Sequence, residues 1–137
     1  MNQAAIFWPV GALAMLTFAV LLQIPLRRFR AGFKSRVNYG DFRYGESQGV
    51  PGDVSIPNRN YMNLLELPVL FYVLCLALHA TAHVTQGLLW AAWAYVALRA
   101  VHTVIHLTYN DVRHRGAAFA VSNIVLLAMW IRFFTEL

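Results

Sequence analysis

Charge is what this chain has least of. Only 12% of its 137 residues are charged, against 59% hydrophobic, and the mean hydropathy is +0.52. A soluble domain carries roughly 25% charged residues, so too little polar surface is available for life in water. Acidic groups are the scarcest: 6 Asp and Glu stand against 11 Lys and Arg, a formal charge of +5. The basic residues cluster at the ends of apolar runs instead of spreading over a solvated face. That is a membrane-topology pattern, and it excludes a nucleic-acid reader. There is one cysteine, Cys75, in mid-run. No intrachain disulfide can form, and a buried, inert thiol is expected there. Met1, Asn2 and Gln3 carry no basic charge ahead of the first apolar stretch, so no cleaved signal peptide is expected.

What is abundant is apolar sequence of spanning length. A transmembrane helix needs roughly 20 apolar residues to cross about 30 Å of hydrocarbon. Four stretches fit, at about 4–26, 59–80, 86–107 and 117–134. The expectation is an all-α, integral membrane four-helix bundle forming a single domain over 1–137, with Pro68 kinking the second span. The segment 27–57 holds Arg27, Arg28, Arg30, Lys34, Arg36 and Arg43, and Arg113 and Arg115 follow the third span. The connection 81–85 has no Lys or Arg. The positive-inside rule then makes 27–57 a cytoplasmic loop and puts both termini on the non-cytoplasmic side. That loop is long for a four-helix bundle. Its Tyr-Gly pairs, Tyr39-Gly40 and Tyr44-Gly45, suit either an ordered cover or a segment anchored at the headgroups. Trp8, Trp90 and Trp130 fall toward the outer ends of their spans, as an interfacial aromatic belt would.

Polar residues inside such spans are costly and face a partner or a wet cavity. Arg59, Asn63 and Glu66 recur at i, i+4, i+7, on one helical stripe. Arginine, amide and carboxylate together can hold a small zwitterion. Helix capping and snorkelling would account for Arg59 and its asparagine neighbours, but not for Glu66 two turns further in. Arg99, His102 and His106 form a second stripe at the same end of the third span, so two polar stripes converge. His79 and His83 lie at the opposite end, most of the membrane away at about 1.5 Å per residue. The two histidine pairs cannot share a metal or a haem, and no metal site is expected. Ser122 and Asn123 suit interhelical hydrogen bonds.

The pattern Arg-x-x-x-Asn-x-x-Glu at Arg59, Asn63 and Glu66, followed by Pro68, resembles the MAPEG family of membrane-associated proteins in eicosanoid and glutathione metabolism. So does the run from Arg99 through His102 to His106, and the likeness extends over the whole chain. The resemblance implies a homotrimer with sites between neighbouring subunits and glutathione as co-substrate. Arg59, Asn63, Glu66, Arg99 and His102 would contact the peptide, with Arg27 as a looser match from the first span. Arg115 falls where the family's enzymes keep an arginine that stabilises the glutathione thiolate. Four departures stand out: Tyr61 replaces a histidine or glutamine, His106 and Phe119 replace tyrosines, and Gly116 replaces a small hydroxyl residue.

These observations support a glutathione-dependent transferase or peroxidase acting on hydrophobic electrophiles or lipid hydroperoxides that arrive through the bilayer. Glutathione offers two carboxylates for arginines and an ammonium for Glu66. Its thiol ionises more readily beside a guanidinium. The alternative is a non-catalytic membrane subunit or lipid-binding scaffold on the same fold, favoured by the missing hydroxyls. An ion carrier is a third class, opposed by the lack of a continuous relay.

Overall fold

The computed structural model describes residues 2–137. Five α-helices carry the architecture: α1 (Phe7–Phe33), α2 (Gly52–Leu65), α3 (Pro68–Ala80), α4 (Gln86–Leu107) and α5 (Val112–Glu136). Short 3-10 turns sit at Gln3–Ile6 and Tyr39–Phe42. Helices α2 and α3 together make one span. The four segments long and apolar enough to cross a membrane are therefore Gln3–Phe33, Gly52–Ala80, Gln86–Leu107 and Val112–Glu136. The protein is an integral, multi-pass membrane protein with a four-helix bundle.

Helix ends follow local chemistry more than hydropathy. Helix α1 passes through Pro25 and carries Arg27, Arg28 and Arg30 in its last turns, where an apolar reading of the sequence has a loop. It stops where Ser35 adopts φ 53° and the Arg36 amide folds back onto the Ala31 carbonyl. Helix α2 likewise starts well before residue 59, at Gly52 behind Pro51. Helix α5 begins at Val112 because Asp111 caps it, its Oδ1 accepting from the Arg113 and His114 amides at 2.9 Å each. Asn110, at φ 51°, makes the preceding left-handed turn, a conformation asparagine tolerates.

Packing joins α1 to α2 and α4 to α5, with α1 and α2 also touching α4. The core between them is apolar: Leu13, Val20, Leu64, Phe71, Leu74, Leu78, Leu88, Ala92, Leu126 and Met129 are all buried. The outward faces are equally apolar, with Met15, Phe18, Leu22, Leu76, Val104, Ile124 and Leu127 all exposed. A helix that is apolar on both faces matches a protein whose solvent is lipid. Both termini and the 81–85 turn share one end. There the Gln3 side chain brackets Val84, donating to its carbonyl at 3.3 Å and accepting from its amide at 2.8 Å.

The connection 34–51 lies at the other, basic end and is ordered by charge. Arg28 pairs with Glu46 at 2.8 Å and stacks over Phe42. Arg36 forks onto Asp53 at 2.8 and 3.0 Å, a hydrogen bond that raises its pKa. The Asn38 amide and Ser47 hydroxyl both donate to Asp41, holding that carboxyl below its usual range.

Candidate functional site

The second span breaks in the middle, and the break creates the site. Pro68 has no N–H to give to the Leu64 carbonyl, and Glu66 turns the chain at ψ −98°. Helix α2 ends there, and the Asn63 carbonyl loses its helical partner. Arg99 reaches across from α4 and donates to that oxygen through Nη2 at 2.8 Å. It is 0% exposed, stacks on Phe119 of α5 with its guanidinium carbon 5.4 Å from the ring centroid, and has Glu66 as its electrostatic partner. Its Nε and Nη1 are also buried and have no hydrogen-bond partner among the described residues. The guanidinium that the resemblance assigns to glutathione caps the broken helix through Nη2.

Arg27 has a similar occupation. Its Nη1 donates to the Asp53 carbonyl and its Nη2 to the Leu107 carbonyl, both at 3.0 Å. The first of these oxygens is stranded because Pro57, four residues on, lacks an N–H. The second is stranded because α4 ends there. Arg27 thus ties α1 to α2 and α4.

The remaining residues assemble around α4. His102 and His106 are 3% exposed each, with ring centroids 5.5 Å apart, and His102 also packs on Phe119. Arg59 and Arg115 both act electrostatically on His106, and Arg99 and Arg115 on His102. Arg115 is half-buried and donates to the Asn110 side chain at 2.5 Å. Asn63 turns its amide to the Arg59 carbonyl at 3.1 Å. Arg59 and Glu66 are exposed, and neither side chain has a hydrogen-bond or ion-pair partner among the described residues. Arg59 and Glu66 thus bracket Asn63 in sequence without a side-chain hydrogen bond or ion pair among the described residues, and Arg59 and Arg115 both reach His106 electrostatically.

Two further features have weaker sequence signatures. Asn60 is fully buried with both side-chain amide atoms unpartnered, as are Thr103 Oγ1 and the Nδ1 atoms of both histidines. Asn60 belongs to α2 and the others to α4, two helices in contact. An apolar cavity of about 540 Å³ lies beneath the 34–51 connection, lined by Ile24, Pro25, Phe29, Phe33 and Phe42 among others. None of the stripe residues borders it. Ser122, expected to bond between helices, donates instead to the Phe119 carbonyl of its own helix at 2.7 Å. His79 packs against the Phe7 ring with centroids 4.7 Å apart. Among the described residues, no group of three or more histidine, cysteine or acidic side chains could hold a metal.

Comparison with curated proteins returns no match, and neither does comparison with solved structures. The profile of the MAPEG family matches residues 6–135, nearly the whole chain. With four membrane-spanning helices, a broken second span and the Arg59, Asn63 and Glu66 stripe at the break, this chain belongs to the MAPEG family.

Proposed function

We propose that this protein is a glutathione-dependent membrane enzyme that conjugates the thiol to hydrophobic electrophiles or reduces lipid hydroperoxides. Membership in the family supports a role in glutathione or eicosanoid metabolism in general. The observation that carries the finer reading is that Arg59 and Glu66 are both exposed with no hydrogen-bond or ion-pair partner among the described residues. Free charges in a spanning segment are costly unless something of complementary charge meets them. A zwitterionic peptide does: its carboxylates suit Arg59, its ammonium suits Glu66, and Asn63 supplies an amide between them. A neighbouring copy would close the site, as in the trimers of the family, and lipid surrounds the rest.

In this reading Arg115 faces the sulfur and stabilises the thiolate. The thiolate then bonds the electrophilic carbon as that carbon's leaving group departs with its electron pair. Alternatively it attacks the terminal oxygen of a hydroperoxide, so that the O–O bond breaks to a sulfenic acid and an alcohol. A second glutathione converts the sulfenic acid to disulfide and water. His102 and His106 line the α4 side, and Arg99 keeps Asn63 and Glu66 in register. The basic connections lie on the cytoplasmic face, so a reporter fused after Leu137 reads as non-cytoplasmic. A cytoplasmic signal would reverse the orientation.

The reading is tested by the ultraviolet absorbance of thiolate on adding glutathione to detergent-purified protein at neutral pH. Arg115→Ala should abolish that signal and the conjugation of a model electrophile while sparing peptide binding. Arg115→Lys should recover part of it, because a compact ammonium orients differently from a planar guanidinium. A wild type that binds glutathione without forming thiolate would support the second reading, a binding module. The absence of a hydroxyl at His106, Gly116 and Phe119 favours that reading, with His106 turned into the interior.

A further inference from the structure

A second charged recess lies at the basic end, and none of Arg59, Asn63, Glu66 or Arg115 lines it. Arg27, Arg30, Ala31 and Lys34 recur at i, i+3, i+4, i+7, one stripe of the final turns of α1. With Arg36, Asp53 and Val54 they enclose about 360 Å³. Four cations face one carboxylate, a net of +3 (four minus one). The carboxylate is already taken, because both its oxygens accept from Arg36. Arg27 is held by its two carbonyls. Arg30 and Lys34 are exposed, and their side chains have no hydrogen-bond or ion-pair partner among the described residues.

Like charges at i, i+4 on a helix destabilise it, so Arg30 and Lys34 cost stability unless an anion sits between them. The anion's source is set by position. The recess lies where α1 leaves the apolar span, at the depth of lipid headgroups. Just above it on α1, toward the bilayer centre, Leu22 and Leu26 are exposed, with Leu26 one turn before Arg30 on the same stripe. A water-borne phosphate has no use for that wall, whereas an acyl chain does. We propose that this recess binds one anionic phospholipid of the leaflet at the basic end. Arg30 and Lys34 hold the phosphate oxygens, Arg27 and Arg36 fix the rim, and the acyl chains run along Leu22 and Leu26. The bound lipid supplies the counter-charge that the last turns of α1 lack, and so steadies the helix end that Arg27 ties to α2 and α4.

The test is native mass spectrometry of the full chain titrated with phosphatidylglycerol and with phosphatidylcholine of identical acyl chains. Wild type should retain phosphatidylglycerol preferentially. Arg30→Gln with Lys34→Gln should lower that affinity about thirtyfold, roughly fivefold per basic group. Both positions are exposed, so the double variant should melt as a folded protein. Arg113→Gln, an exposed basic residue outside the recess, should leave the preference intact. Equal retention of the two lipids by wild type would overturn the proposal. So would an equal loss in Arg113→Gln, which would mean diffuse attraction, or displacement by glycerol 3-phosphate at matched concentration, which would mean a water-borne ligand.

Discussion

At the scale of single residues, arginine here mends backbone. Pro57 strands the Asp53 carbonyl, the break before Pro68 strands that of Asn63, and the end of α4 strands that of Leu107. Arg27 and Arg99 satisfy all three oxygens. At Asn63 the serving guanidinium is 0% exposed, so no water can take its place. Removing such a donor costs about 1–3 kcal/mol for each carbonyl left dry, so Arg27→Met should lower the melting temperature of the detergent-solubilised protein. Pro57→Ala restores an N–H for Asp53. In that background the Arg27→Met penalty should shrink, because only the Leu107 carbonyl remains unserved. An unchanged penalty would mean that Asp53 is not what Arg27 holds.

At the scale of elements, four apolar stretches and two basic clusters were legible in the sequence because hydropathy and charge are properties of composition. Helix ends were not, because caps and tertiary ties decide them. Arg27 and Arg28 read as loop, yet α1 continues through them once Arg27 finds two carbonyls on other helices. The occupations of Arg27 and Arg99 were hidden for the same reason. Prolines 57 and 68 mark which carbonyls are stranded, but no spacing says which side chain arrives. The stripe Arg59, Asn63 and Glu66 was legible because it is local to one helix. The start of α5 rests on Asp111, whose carboxyl is held below the usual range by the His114 amide. A carboxyl lowered in the folded state adds stability above its unfolded pKa and loses it as pH falls through the folded value. Asp111→Ala should therefore lower the melting temperature by a few degrees at neutral pH. The difference between variant and wild type should fade in acid. A gap that persists in acid would place the cap's value elsewhere.

At the scale of the whole molecule, the bundle is apolar outside and in, except along the α2–α4 seam and at the basic end. Lipid covers the apolar faces. Charge at Arg59 and Glu66 calls for a charged occupant, and the proposal is that a peptide thiol and a neighbouring copy meet there. The account's central claim is that Arg59, Asn63 and Glu66 hold glutathione, and calorimetric titration of the purified chain tests it most directly. Wild type should bind, and Glu66→Gln should weaken binding by about one to two decades, the equivalent of about 1.5–3 kcal/mol for a charge-assisted hydrogen bond. A glutathione analogue lacking the amine should bind both forms alike. No heat of binding from wild type, or equal affinity of wild type and Glu66→Gln for glutathione itself, would contradict the claim.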